Sequence, residues 1–144
     1  MKTHLKSLTP VLAVLFLAVA ALRSNAQITN PIQAHIGHSF MIGDKTLPPG
    51  DYTFHIEPNT DLGVMDVQTK NGDNVAQVNI RQSLDNHRPK HSELIFRKYG
   101  NTEFLSKVYE SGSKEGVAVT ETGKEEQRLV QEGQHALEHT EEQQ

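Results

Sequence analysis

The stretch ELIFRKYGNTEFLSKVYESG, residues 93–112, decides the fold because it predicts a β-hairpin that turns at Gly100 and Asn101. Glycine at the first position of a two-residue turn is typical of tight hairpins. This turn predicts three cross-strand pairs, which are Tyr99 with Thr102, Lys98 with Glu103, and Phe96 with Leu105. The Lys98–Glu103 pair joins opposite charges, which favours this register.

The predicted hairpin is apolar on both faces. One face carries Leu94, Phe96 and Leu105, and the second face has the interaction candidates Ile95, Arg97, Tyr99, Phe104 and Val108. A sheet in a small domain usually buries one face and leaves the other in water, so something must cover the second face. We expect the cover to be either the C-terminal segment of the same chain or another molecule. The charged member, Arg97, is suited to stacking on an aromatic ring or meeting a carboxylate.

The N-terminus has the pattern of a secretory signal peptide, residues 1–26. Lys2 and Lys6 precede the apolar run 11–22, and small residues precede a cleavage site after Ala26. The run is short for a membrane span, although an uncleaved anchor is the alternative. We therefore expect an exported protein, periplasmic or extracellular, with no membrane span after signal cleavage.

Charge and composition restrict the partners. Loss of Lys2, Lys6 and Arg23 with the signal peptide changes the 14 basic and 18 acidic residues to 11 and 18, a net charge of −7. This argues against binding to nucleic acid or anionic lipid, both of which favour basic surfaces. The chain has no cysteine, so a hydrophobic core or an assembly must replace disulfides as the source of stability.

Residues 27–119 predict one all-β domain. Tyr52, Phe54 and Ile56 alternate with polar residues, and Asn71-Gly72 separates two β-prone runs, 64–69 and 75–81. Tight turns without helices between them favour a single antiparallel β-sandwich or small barrel of about six to seven short strands. Residues 27–37 are weakly patterned and are interpreted as an extended lead-in.

Residues 120–144 predict an acidic tail that is helical or disordered. Thr122 and Glu125 have the spacing of a capping box, which marks the start of a polar C-terminal helix. The apolar residues of the tail are few and form a thin stripe: Leu129, Val130, Ala136 and Leu137. This stripe is the part of the tail that could fold back over the hairpin.

Two stretches, FMIGDKTLPPGDYTF (40–54) and ELIFRKYGNTEFLSKVYESGSKEG (93–116), carry a resemblance to a known family. They resemble the signatures F-x-V-G-x-K-x-L-P-A-G-x-Y and L-V-F-x-R-Y-G-x-x-Y-F-L-S of a family of small exported bacterial β-proteins. The chain departs from the family pattern at Pro49, where the pattern has alanine, and at Tyr109, where the second signature continues S-x-V-W and has tryptophan. The resemblance implies export and an all-β domain, and it implies no catalytic residue.

Catalytic motifs are missing from the sequence. There is no cysteine, no G-x-S-x-G nucleophile motif and no glycine-rich phosphate loop between a strand and a helix. We therefore predict that the protein is not an enzyme. The alternative is a carboxylate-dependent hydrolase, because paired acids need not be close in the sequence.

The histidines are the better candidates for chemistry. His135 and His139 are four residues apart on the predicted helix, near Glu132 and Glu142, and could hold Zn²⁺ or another divalent metal. The alternative is a solvated polar face. Two other sets are possible: His87 with His91, in a loop beside two cations, and His35 with His38, which could face His55.

The sequence therefore favours an exported, non-catalytic β-domain that acts as an interaction or structural module of the cell envelope or extracellular space. Its partner would be another envelope protein or a second copy of itself, bound at the second hairpin face or at a sheet edge. The alternative function is a module that binds a small ligand or a divalent metal, with the ligand inside a barrel or on surface histidines. No cofactor other than this metal is expected.

Overall fold

The structure is a computed structural model that describes residues 30–57 and 62–143. The predicted signal peptide lies outside the described residues. They form ten strands and one helix: β1 (Ile32–Ile36), β2 (Phe40–Ile42), β3 (Lys45–Leu47), β4 (Gly50–Ile56), β5 (Leu62–Thr69), β6 (Asn74–Leu84), β7 (Glu93–Tyr99), β8 (Thr102–Tyr109), β9 (Glu115–Val119), α1 (Lys124–Gln131) and β10 (Leu137–Glu142). In this part of the chain, no helix is both long enough and apolar enough to cross a membrane.

All ten strands belong to one sheet, which confirms the all-β prediction but not its details. The strand order is β1-β4-β5-β6-β9-β8-β2-β3, with β7 paired to β8 and β10 paired to β7. The sheet is mixed, because β2 runs parallel to β8 where Met41 meets Phe104. The antiparallel-only prediction and the count of six to seven strands were therefore wrong. The sheet does not close on itself.

Two of the additional strands come from segments that the sequence pattern did not identify. Residues 32–36, expected to be a lead-in, alternate between buried and exposed along β1. The other strand, β10, comes from the predicted tail. Both have strand partners that are distant in the sequence, β4 for β1 and β7 for β10. Short-range patterns carry little information on such pairings.

The main core lies on one face of the sheet. Its largest fully buried side chains are Phe40, Phe54, Phe96, Ile36, Ile42, Met65, Leu94, Leu105, Val67 and Val108. Polar residues alternate with the buried ones along β1 and β6. The turn predicted at Asn71-Gly72 joins β5 to β6, with Gly72 at a φ of 87°.

The 93–109 hairpin has the predicted register at its turn. All three predicted pairs form, and Gly100 has a φ of 58°, which favours glycine. Further along, Phe96 pairs with Leu105 but Ile95 pairs with Lys107, so Ser106 is the extra residue of a β-bulge. The bulge changes the side of the residues beyond it. Val108, expected on the second face, lies opposite Leu94 in the main core.

The chain itself covers the second hairpin face. Tyr99 and Phe104 form a small apolar cluster with Leu129 of α1, and Met41 packs against it. Of the predicted apolar stripe, Leu129 is buried, whereas Val130 and Leu137 are exposed. The C-terminal segment of the same chain therefore covers the second hairpin face, which is one of the two alternatives expected from the sequence.

The tail is ordered differently from the prediction. The N-cap of α1 is Gly123, and no side chain of the helix caps it. Instead, the carboxylate of Asp44 accepts a hydrogen bond from the Lys124 N–H at 2.6 Å, so the Thr122–Glu125 capping box does not form. Residues 137–142 are neither helical nor disordered, because they pair with the edge of β7.

Candidate metal centre

The C-terminal strand β10 supplies two ligand-type side chains to one site. His139 and Glu141 are two residues apart, and alternate residues of a strand lie on the same face of the sheet. Both side chains are half-buried, whereas Glu138, Thr140 and Glu142 are exposed. The antiparallel pairing with β7 sets His139 opposite Phe96 and so fixes its position over the hairpin.

The connection between β1 and β2 supplies the third side chain, His38. Its ring makes an edge contact with Phe96, with ring centroids 5.2 Å apart. The centroids of the His38 and His139 rings are 5.8 Å apart. Phe96 also contacts the His139 ring, so its apolar ring packs against both imidazoles and restricts their orientation.

His38, His139 and Glu141 each offer one ligand atom, and these three atoms lie within 4.8 Å of one another. The closest approach between His38 and Glu141 joins Nδ1 to Oε1 at 3.1 Å. Zn²⁺ binds His nitrogen at about 2.0–2.1 Å, which puts two ligands of a tetrahedral site roughly 3.4 Å apart. The 3.1 Å separation of His38 and Glu141 is close to that value.

Glu103 lies behind the two imidazoles. Its Oε2 is 2.8 Å from Nδ1 of His139 and 2.9 Å from Nε2 of His38, and its Oε1 is 3.1 Å from the Lys98 ammonium. The His139 contact is a hydrogen bond. The His38 contact has the distance of a hydrogen bond but not its geometry, and Nε2 of His38 is a buried atom without another partner among the described residues.

The charge of Glu103 is stabilised although the residue is 6% exposed. Burial opposes ionisation, but hydrogen bonds from His139 and Lys98 and the nearby histidine charges outweigh it, so the pKa of Glu103 lies below its usual range. A carboxylate that binds the rear nitrogen of a metal-ligating histidine orients the ring and raises its basicity. Glu103 is placed for this role.

The structure separates the two histidines that the sequence paired. The prediction of a His135–His139 site assumed a helix, in which residues four apart share a face, but α1 ends at Gln131 and His139 lies in a strand. His135 is exposed and lies outside the cluster. No local sequence pattern indicates that His38 meets His139, because that contact depends on the distant pairing of β10 with β7.

The other histidine sets also have different partners from those expected. Nδ1 of His35 lies 2.7 Å from Asp51 Oδ1, and His55 pairs with Asp66 across β4 and β5, so His35 and His38 do not face His55 as a set. His87 lies between two carboxylates, with Nδ1 2.9 Å from Asp85 and Nε2 3.2 Å from Glu93.

Arg97 meets a carboxylate, one of its two expected partners. Its guanidinium donates two hydrogen bonds to Glu126 of α1, at 2.6 and 3.0 Å. Glu126 is buried and also accepts a hydrogen bond from the Tyr99 hydroxyl at 3.3 Å. Burial, together with the Glu126 charge, raises the pKa of Tyr99. These contacts fasten α1 to the hairpin, so they have a structural purpose.

A shallow groove has a volume of about 670 Å³. Its lining surface is about equally polar and apolar, and the lining residues come from β1, β4, Lys70 and the last described residues: Gln33, Ala34, His35, Asp51, Tyr52, Thr53, Lys70, Glu142 and Gln143. The three candidate ligands are not part of this lining.

No protein-family model, curated protein or solved structure matches the chain significantly. The resemblance described from the sequence therefore stays a prediction, and a proposal for function rests on the geometry of the molecule.

Proposed function

We propose that the protein is an exported, non-catalytic β-domain that binds a divalent transition metal, with Zn²⁺ as the best match. The observation that supports this is the convergence of His38, His139 and Glu141 within 4.8 Å. Two imidazoles and one carboxylate form a donor set that suits Zn²⁺ and related metals better than Mg²⁺ or Ca²⁺, which prefer all-oxygen sites. A water molecule would complete a four-coordinate site.

Glu103 contacts one nitrogen of each imidazole ring and leaves the other nitrogen free of Glu103. Because its Oε2 lies against Nε2 of His38 and Nδ1 of His139, the other nitrogen of each ring is left for the metal. For His38 this is Nδ1, the atom that lies 3.1 Å from Glu141. Lys98 balances the remaining charge of Glu103 and keeps it as an orienting group, not a ligand.

The alternative function, an interaction module that uses the second hairpin face, loses its main support. Ile95, Tyr99 and Phe104 are each less than 10% exposed, and Arg97 is engaged by Glu126. An interaction role therefore has to use a sheet edge and not this face. We also propose that the domain is a β-sandwich. Ile32 of β1 and Leu105 of β8 share one core although their strands are far apart in the sheet, as in a sheet whose two halves pack face to face.

Isothermal titration with zinc tests the metal proposal. The purified chain should bind one Zn²⁺, and His38→Ala and His139→Ala should each weaken binding by tenfold or more because each removes a ligand. His135→Ala is the matched control, since it removes a neighbouring exposed histidine and should change the affinity less than threefold. Equal effects of His135→Ala and His139→Ala, or no binding by the unmodified chain, would refute the proposal.

Substitution of the orienting carboxylate gives a second test. Glu103→Gln retains the shape of the side chain but removes the charge that polarises both imidazoles. We expect zinc affinity to fall by about 10- to 100-fold, the usual cost of losing such a partner. The stoichiometry should remain one, because the three ligands are retained. A zinc affinity equal to that of the unmodified chain would refute the orienting role of Glu103.

A further inference from the structure

Strand β10 is held at the sheet edge with little help from apolar burial. Leu137, the one large apolar residue of the strand, is 71% exposed. The other side chains of β10 are exposed or half-buried. Backbone pairing with β7, in register from Leu137 opposite Lys98 to Glu142 opposite Glu93, therefore supplies most of the attachment.

The strand next to β10 in the sheet also packs against other parts of the molecule. Leu94 and Phe96 of β7 belong to the main core, and the other edge of β7 pairs with β8 along its whole length. If β10 departed, β7 would remain in place with a row of free backbone groups. Such an edge is a template for the pairing of another strand.

The side chains of β10 are matched to residues of β8 and of the β1–β2 connection, which lie next to this edge. Glu138 meets Lys107 at 3.4 Å, His139 meets Glu103 at 2.8 Å, and Glu141 meets His38 at 3.1 Å. Every copy of the chain carries the same strand, and β10 of a second copy would make the same contacts. A second copy is therefore the partner whose chemistry fits the edge.

The chain before β10 permits the strand to swing away while α1 stays attached. Residues 132–136 link the two elements and are all exposed, and Gly133 has a φ of 79°. The helix is anchored independently by Leu129 and by the Arg97–Glu126 pair. Five linking residues span at most about 17 Å when extended, enough for β10 to reach a closely apposed copy.

We propose that β10 is an exchangeable strand, and that the β7 edge is an interaction surface for the β10 strand of a second copy. The exchange replaces one set of backbone pairs with an identical set, so its free energy is set by the linker and by protein concentration. It gives the protein a route to reversible self-association that leaves the core of each copy intact. This inference does not depend on metal binding.

The absence of cysteine permits a direct test by disulfide capture. A Lys98→Cys chain is mixed with a Leu137→Cys chain in the presence of EDTA, incubated under mild oxidation, and analysed by non-reducing electrophoresis and mass spectrometry. These two positions are opposite each other in the β7–β10 pairing, so a disulfide between chains records β10 of one copy on β7 of another. The matched control mixes Lys98→Cys with Asn71→Cys, a position on the exposed β5–β6 turn.

We expect the Lys98→Cys and Leu137→Cys mixture to yield at least fivefold more mixed disulfide than the control, increasing with protein concentration. A yield equal to the control would overturn the proposal. The double variant Lys98→Cys/Leu137→Cys, oxidised before mixing, should form a disulfide within one chain and lose the ability to exchange. Failure of that variant to close within one chain would also contradict the proposal, because it would mean that β10 does not pair with β7 as described.

Discussion

At the scale of the residue, a buried carboxylate fastens α1 to the sheet. Glu126 is 3% exposed and is bound by the fork of Arg97 and by the Tyr99 hydroxyl. The Arg97 side chain is 30% exposed, so the two partners of this ion pair differ in their access to water. The two residues therefore differ in the cost of their loss. Loss of Arg97 leaves the buried charge of Glu126 without a partner, whereas loss of Glu126 leaves a charge that can reach water.

Substitutions at this pair should reveal the difference. Arg97→Ala should lower the free energy of unfolding by about 3–5 kcal/mol, because it leaves the buried Glu126 without its counter-charge. Glu126→Ala should cost less, since Arg97 can extend into solvent. Chemical denaturation of both variants provides the comparison. A larger loss for Glu126→Ala would contradict this account of the pair.

The loop before β7 contains a second charged contact, at His87. Both ring nitrogens face carboxylates, those of Asp85 and Glu93, so the doubly protonated ring can donate in both directions. The hydrogen bond to Asp85 contributes most to raising the pKa of His87 above its ordinary value of 6.5, and Glu93 adds to it. A raised folded-state pKa stabilises the fold fully below pH 6.5 and ceases to do so as the pH rises through the folded value.

Asp85→Asn should lower the pKa of His87, as measured by NMR titration of its ring protons. The stability difference between the unmodified chain and this variant should be present at about pH 5.5 and should disappear at alkaline pH. His91→Ala, which removes a nearby histidine of the same loop, should leave the His87 titration unchanged. A His87 pKa at or below that of free histidine in the unmodified chain would refute the assignment.

At the scale of the element, α1 covers the second hairpin face through one residue. Leu129 is 6% exposed and contacts Tyr99 and Phe104, whereas its neighbour Val130 is 52% exposed. The helix has only eight residues, too few to be stable alone in water, so this contact and the Glu126 pair must hold it in place.

Leu129→Ala should lower the free energy of unfolding by about 2–5 kcal/mol, the usual range for a leucine removed from a packed site. The matched control is Val130→Ala, which should change the stability by no more than about 0.5 kcal/mol because the side chain is exposed. Truncation at Thr120 should destabilise the domain more than Leu129→Ala, since it removes β10 as well. Equal stabilities of the two alanine variants would show that α1 is not the cover.

The elements that the sequence predicted are those whose partners are close along the chain. The predicted register of the 93–109 hairpin was correct near its turn, because Gly100 and the Lys98–Glu103 pair specify it locally. The bulge at Ser106 was not predictable, since it follows from the packing of Val108 in the core. The same distinction explains the site. His139 was identified as a ligand candidate, but its true neighbour, His38, is about 100 residues away and is brought to it by β10.

At the scale of the whole molecule, the candidate metal centre joins the two ends of the described chain. His38 lies near the start, and His139 and Glu141 lie on the last strand. A bound metal would connect β10 to the β1–β2 connection, in addition to its backbone pairs with β7. Any ligand that binds the docked arrangement alone must stabilise it, by about 2.7 kcal/mol at a concentration one hundred times the Kd.

Hydrogen exchange of the β10 amides, measured by mass spectrometry with and without zinc, tests this linkage most directly. The account predicts that zinc slows exchange across residues 137–142 in the unmodified chain and in His135→Ala. It predicts no such change in His38→Ala, whose missing ligand lies outside β10. Exchange rates in β10 that are the same with and without saturating zinc would contradict the claim that the metal centre fastens this strand to the sheet.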